Sequence, residues 1–447
     1  MNARTTVGSL AVFTVCLLMS LACGAQSLTE VCRTAQAQDA QFASANATYQ
    51  ASLEKLPQAR AGLLPTVALT ANQNRQSGEA SFSDAPYIER SPAFWSWSIQ
   101  LTQPLYRYGN WVAYRQADDQ LAQAEAQLAV AKQDLLLRCS QIYFDVVLAR
   151  ESVAVMDAQL ASTKEQLTLA QRNFEVGTGT VTDVHEVRAK QASSQAQRIS
   201  ALNELLGKQA ELERILGSSQ AIPQVRIAGA LPTLDAANLD EWRINAGAKN
   251  PQVKSQQAAL EVAKREVSKS RSMHMPTLDL TLSRSTNSSD GTLNSPADLS
   301  TRVNSSQVGL QLNVPIFAGG GSQSRVRESL ALLDKAEADL ANARRAAESQ
   351  ARQAFWGVIN GEAQTAALLQ AVAAGVNAVE GNKIGFRVGT RINPDVLNAE
   401  QQLFSAQRDL SKSQVETLMQ SLKLKAAAGL LLESDLAAVE SLLEPIQ

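Results

Sequence analysis

From Trp111 to Val176 the chain contains neither glycine nor proline. A helix over that run, at ~1.5 Å per residue, extends on the order of 100 Å. An ordinary globular helix makes about three turns, so this element is too long for a compact core. Its apolar residues recur in alternating steps of three and four, as at Leu121, Ala124, Leu128, Ala131 and Leu135. That spacing forms a coiled-coil seam. A second long run, about Arg325 to Val388, repeats the pattern but carries Gly357, Gly361, Gly375, Gly381 and Gly385, which permit bending. Ala, Gln, Leu, Ser and Glu dominate these stretches and aromatics are only 5% of the chain. This is helix-forming material rather than the mixture of an α/β enzyme.

The two runs belong to a duplication. Residues 61–75 read AGLLPTVALTANQNR and residues 272–286 read SMHMPTLDLTLSRST, which aligns Pro65 with Pro276. WSIQLTQPLYRYG at 97–109 matches VGLQLNVPIFAGG at 308–320 and aligns Pro104 with Pro315, the same shift of 211. FEVGTGTVTDV at 174–184 matches FRVGTRINPDV at 386–396, a shift of 212. Conserved spacing across proline and glycine positions marks an internal repeat. Each half reads as a helix (28–60 and 238–272), a strand, a polar loop, a second strand, and a long helical hairpin turning at Val-Gly-Thr. The expected organisation is a first repeat over 26–217 with strand pair 66–104, and a linker over 218–237. A second repeat over 238–429 has strand pair 277–315, and a C-terminal segment covers 430–447.

In WSWSIQLT at 95–102, Trp95, Trp97, Ile99 and Leu101 alternate with Ser96, Ser98, Gln100 and Thr102. Val308, Leu310, Leu312 and Val314 alternate likewise with Gly309, Gln311 and Asn313. Period two gives each strand one apolar and one polar face. Loops 73–92 and 284–307 are rich in Ser, Asn, Asp and Gly. The strands approach the roughly 9–11 residues that cross a bilayer when tilted. Four strands cannot close a barrel, and lipid forbids open edges, so the chain is expected to oligomerise; three copies supply twelve strands, an even number.

The N-terminus reads as a secretory signal over residues 1–25: Arg4, then an apolar run from Val7 to Ala22, then small residues. The alternative is a lipoprotein acylated at Cys23, although Ser20 stands where a lipobox prefers Leu. The formal net charge of -2 shows no basic surplus for nucleic acid. His185 and His274 stand far apart, so no metal site and no cofactor are expected. No nucleophile elbow, P-loop, dinucleotide fingerprint or zinc motif suggests an enzyme. Cys32 lies 29 residues before residue 61, and Cys139 lies 29 after residue 110. If the intervening strands pair, one helix ascends and the other descends, so the two cysteines share a height and are expected to form a disulfide in an oxidising compartment.

GLLPTVAL, LTQPLY, VGTGTVTDV, MPTLDLTLS, LNVPIFAGGG and VGTRINPDVLNAEQQL, in this order and duplicated, resemble the TolC family of outer-membrane efflux and secretion factors. The resemblance covers about residues 28–440. It implies a mainly α fold with a small β part: a homotrimer, a twelve-stranded barrel with four strands per chain, and an α-barrel of antiparallel coiled coils. An equatorial belt would come from the linker and C-terminal segment. It also implies a passive exit duct fed by an inner-membrane ABC or proton-driven transporter through a periplasmic adaptor (membrane fusion) protein, in contact with outer-membrane lipid. Val176, Gly177 and Thr178, with Val388, Gly389 and Thr390, match the adaptor-docking turns. Asp395 matches a pore-constricting aspartate, and Asn398 stands where the family has a second one, which implies weaker cation selection. Arg391 matches a gating latch with Thr182 and Asp183, and Phe386 replaces a usual Tyr. The competing reading, a periplasmic coiled-coil adaptor or structural protein, would need a lipoyl-like β domain that the sequence does not show.

Overall fold

The computed structural model describes residues 27–83, 85–218, 222, 225–227, 231, 234, 238–297 and 299–445. The expected signal and the Cys23 alternative lie outside them, as does part of the expected linker. In chain order the main elements are α1 (Leu28–Gln38), α2 (Ala40–Leu53), α3 (Lys55–Ala61), β1 (Thr66–Arg75), β2 (Gly78–Ala80), β3 (Ile88–Arg90) and β4 (Ala93–Tyr106). Then come α4 (Tyr108–Glu175), α5 (Val181–Leu216), β5 (Val225–Ile227), α6 (Leu239–Lys249) and α7 (Pro251–Ser272). The chain closes with β6 (Thr277–Ser289), β7 (Thr301–Asn313), α8 (Gly321–Arg387), α9 (Asn393–Ala427), α10 (Glu433–Glu440) and β8 (Leu443–Pro445). The repeat survives in three dimensions: β1 and β6 begin 211 residues apart, and α5 and α9 begin 212 apart.

Two compact units divide the chain. One comprises Thr48–Ala126 and Ser255–Asn342. It holds an antiparallel sheet in the order β1-β4-β6-β7, so β4 and β6 join the strand pairs of the two repeats. The register shifts between Pro104 and Tyr106. A bulge there accommodates a proline that cannot donate to the ladder.

The other unit comprises residues up to Ala47, Gln127–Lys254 and Ala343–Gln447. Its core gathers Leu28, Val31 and Cys32 of α1, Leu135, Cys139, Tyr143 and Phe144 of α4, Leu212 and Ile215 of α5, Leu418 and Leu422 of α9, and Leu436 and Val439 of α10. Cys32 and Cys139 form a disulfide, Cα atoms 5.7 Å apart. β5 pairs with β8 and ties the inter-repeat segment to the C-terminal one.

Three expectations need correction. The helix expected over 28–60 is three helices: Asp39 Oδ2 accepts from Phe42 N at 2.9 Å and from Arg138, turning the chain between α1 and α2. The helix expected over 238–272 breaks at Asn250, whose Oδ1 accepts from Gln252 N at 2.8 Å to cap α7, with Pro251 in its first position. The polar loops are also shorter than read. β6 runs on to Ser289 and β7 starts at Thr301, while β2 and β3 form a hairpin inside 73–92. In these outer portions polar residues prevail on both faces, so the period-two signal vanishes although backbone pairing continues. α8 is unbroken, and two of its glycines serve close packing. A Cβ at Gly357 would lie 2.9 Å from Gln420 side-chain atoms, and one at Gly361 would overlap Thr417.

Candidate functional site

The sheet separates its chemistry by face. One register row joins Val67, Leu101, Leu282 and Val308 across all four strands. On that face the row is flanked by Leu69, Ala71, Ile99, Trp97 and Trp95 toward the loops, and by Leu280, Leu278, Leu310 and Leu312 toward the helices. Val67 is 62% exposed and Val308 74%, so among the described residues nothing covers this apolar face. The opposite face carries Thr70, Ser98, Gln100, Ser285 and Ser305, with hydroxyl pairs Thr70–Ser98 at 2.7 Å and Ser285–Ser305 at 2.8 Å. Its one carboxylate, Asp279, takes a two-pronged bond from Arg107, at 2.8 and 2.6 Å. The apolar stretch crosses the ladder diagonally. Its centre shifts by about four residues, ~13 Å, over two to three strand spacings of ~4.8 Å, a slant of roughly 45°.

The helix turns of the other unit repeat each other bond for bond. Gly177 and Gly389 take φ of 78° and 77°, left-handed values that glycine adopts without strain. Thr178 N donates to Asn173 O and Thr390 N to Gly385 O, each at 2.9 Å. Val176 and Val388 project into solvent, 73% and 68% exposed. After each turn an aspartate caps the next helix. Asp183 Oδ2 accepts from Thr180 N at 2.9 Å and Thr180 Oγ1 at 2.8 Å, and Asp395 Oδ2 accepts from Ile392 N at 3.4 Å.

Asp395 and Asn398 share the open side of α9, while Val396, Leu397, Ala399 and Glu400 are buried. Arg391, in the turn before α9, approaches Asp395 in the first turn of that helix, at 3.8 Å, and among the described residues it does not pair with Asp183. Thr182 is exposed and Phe386 half-buried. The tie between the two repeats lies one turn deeper. Leu397 packs with Leu167, Ala170, Val184 and Val187. The Glu400 carboxylate, on a residue only 5% exposed, accepts from Ser162 Oγ at 2.6 Å and Gln166 Nε2 at 2.7 Å of α4, and meets Lys383 Nζ of α8 at 2.7 Å. Lys190 of α5 bonds Gln401. Sequence reasoning missed this hub. Its signal was a glutamate at i+4 and i+3 from Val396 and Leu397, on the face a helix buries.

Farther along these hairpins a groove of about 920 Å³ is lined by Asp145, Glu151, Lys208, Arg408 and Lys412. Lys208 lies 3.1 Å from both Glu211 and Asp145, and these bonds push its pKa up. Among the described residues no cluster of three or more His, Cys, Asp or Glu could hold a metal, and no helix is long and apolar enough to cross a membrane.

The chain resembles known proteins over nearly its whole length. It is 30% identical to the proteases secretion protein PrtF of Dickeya chrysanthemi over 420 residues, covering 92% of this chain and 90% of the relative. It is also 30% identical to the outer membrane protein TolC of Vibrio cholerae over 430 residues, 95% of each. A crystal structure of CusC superposes with a TM-score of 0.77 at 16% identity, covering 91% of this chain and 92% of that one. The sequence profile described as outer membrane efflux protein matches residues 31–218 and again 242–430, two copies starting 211 residues apart, as the motifs do. The chain belongs to the outer membrane efflux protein family.

Proposed function

We propose that three copies of this chain assemble into an outer-membrane exit duct that passively conducts cargo from an inner-membrane transporter to the exterior. The observation that carries the reading is the sheet: apolar on one face, hydroxylated on the other, with β1 and β7 as unpaired edges. β7 runs antiparallel to β6 and β1 to β4, so β7 of one copy beside β1 of the next keeps every pair antiparallel. A head-to-tail contact of this kind closes a ring when its rotation is a third of a turn. The diagonal apolar stretch supports closure too, because barrel strands tilt by about 35–45° and a level lipid band crosses tilted strands obliquely. The polar face then lines the exit with hydroxyl and amide groups and one neutralised carboxylate.

The helix tips form the periplasmic entrance. Val176 and Val388 give the two turns of each chain matching apolar knobs for an adaptor's hairpin, and glycine lets its backbone come close. Three copies of Asp395 ring the axis and favour cations, with Asn398 adding no charge. Arg391 reaches Asp183 of a neighbouring copy to latch the entrance shut, in exchange for its weak pairing with Asp395. Relatives serving protease secretion favour polypeptide cargo and an ABC transporter. The test is planar-bilayer recording of the full-length protein. Discrete low conductance steps are expected, rising with Arg391→Ala. Silent membranes would overturn the duct, and unchanged steps in the variant would overturn the latch.

A further inference from the structure

The four main strands contain four formal charges. Asp279 is on the hydroxylated face and is neutralised by Arg107. The other three are arginines, and the register puts all of them on the apolar face. Arg75 continues the Val67–Leu69–Ala71 row of β1, Arg284 follows Leu282 on β6, and Arg302 shares the face of Val308 on β7. Each lies on the loop side of its strand's apolar stretch. All three are exposed, and among the described residues none has an acidic partner. Trp95 and Trp97 of β4 occupy the same face at the same end, where interfacial aromatics anchor a barrel.

An arginine facing lipid is costly at the midplane and nearly free at the interface, and its stem reaches outward to place the guanidinium among headgroups. A guanidinium offers a rigid fork that matches a phosphate with two parallel bonds. Three such forks, none held in an ion pair among the described residues, form an anion-binding strip. We propose that Arg75, Arg284 and Arg302 form an external binding site for the phosphate groups of an outer-leaflet glycolipid. The site rests on the barrel reading, in which the apolar face meets lipid and the loop end faces outside. Ring closure sets β7 with Arg302 beside β1 with Arg75 of the next copy, so each site straddles a seam and is complete only in the assembly.

The test uses full-length protein in mild detergent, native mass spectrometry, and diphosphoryl lipid A with its dephosphorylated counterpart as probes. Wild type should retain the diphosphoryl lipid at least ~tenfold better, as charge-assisted forked bonds imply. The triple variant Arg75→Gln, Arg284→Gln, Arg302→Gln should lose that preference while conducting in bilayers as wild type does. A triple Arg→Lys variant should fall between them. Excess inorganic phosphate should leave the lipid bound; displacement down to the level of the dephosphorylated lipid would assign the site to a free anion and overturn the proposal. Equal retention of both lipids by a conducting wild type would remove the arginine site alone. A wild type that does not conduct at all would remove the barrel on which it stands.

Discussion

Replacing Glu400 should loosen the two repeats where they meet near the tips. Its carboxylate is buried and holds Ser162, Gln166 and Lys383, on two other helices, within 2.6–2.7 Å. Bonds to a charged group contribute about 1.5–3 kcal/mol each, and an orphaned buried polar group costs about 1–3 kcal/mol. Glu400→Ala removes the acceptor for Gln166, whose Oε1 is already buried without a partner among the described residues. The Lys383 ammonium is half exposed and returns to water, so its ion pair adds little. The relief of a buried charge offsets part of the loss, leaving a local destabilisation of about 2–4 kcal/mol. At about 1.4 kcal/mol per factor of ten, even the lower figure accelerates local opening roughly 30-fold. Hydrogen exchange followed by mass spectrometry on peptides covering residues 158–170 and 396–406 measures that opening. Glu400→Gln, which keeps shape and one acceptor, should fall between wild type and Ala. Exchange in Glu400→Ala within threefold of wild type would refute the reasoning, since the bonds would then hold nothing closed.

Other consequences follow from single contacts. Gly361→Ala should lower stability by about 1–3 kcal/mol through overlap with Thr417, seen as a lower thermal midpoint and partly restored by Thr417→Ala. The Cys32–Cys139 bridge closes a separation of 107 residues. In the chain-entropy account Cys32→Ser with Cys139→Ser costs on the order of 4–5 kcal/mol, visible as a lower denaturant midpoint. Burial, reinforced by Glu440 and opposed by Arg150, pushes the Tyr143 hydroxyl up to about 12. An acid whose folded pKa lies above its unfolded value of about 10 contributes fully below pH 10 and loses that contribution as pH rises toward 12. The loss is up to about 2–3 kcal/mol, and phenolate absorbance should show Tyr143→Phe abolishing this alkaline step.

The long helices were legible because glycine and proline are absent from 111–176, and the repeat because prolines and glycines kept their spacing. Strand faces were legible only where apolar residues alternate. Beyond Leu282 and before Val308 the residues are polar apart from Val303, and the ladder runs on by backbone pairing, with side-chain bonds such as Thr286 to Asn304 at 2.8 Å added to it. The breaks at Asp39 and Asn250 did leave a trace in the sequence, since Asp and Asn favour caps over helix interiors and Pro251 suits a first helical position, but the helix-forming residues on either side masked it. The Glu400 hub was hidden for a different reason: its partners on α4 and α8 are 234 residues away for Gln166 and 17 for Lys383, and only folding assembles them. Arg391 shows the reverse. The resemblance supplied its role, while among the described residues its ion-pair partner is Asp395.

Cysteine crosslinking between edge strands tests the assembly most directly. Single substitutions in β1 are paired with single substitutions in β7, and Cys32 and Cys139 are already bonded to each other. Oxidised protein should give covalent dimers and trimers and nothing larger, through at least one register of pairs. Products confined to monomer, or a ladder that climbs past three, would contradict a ring of three chains.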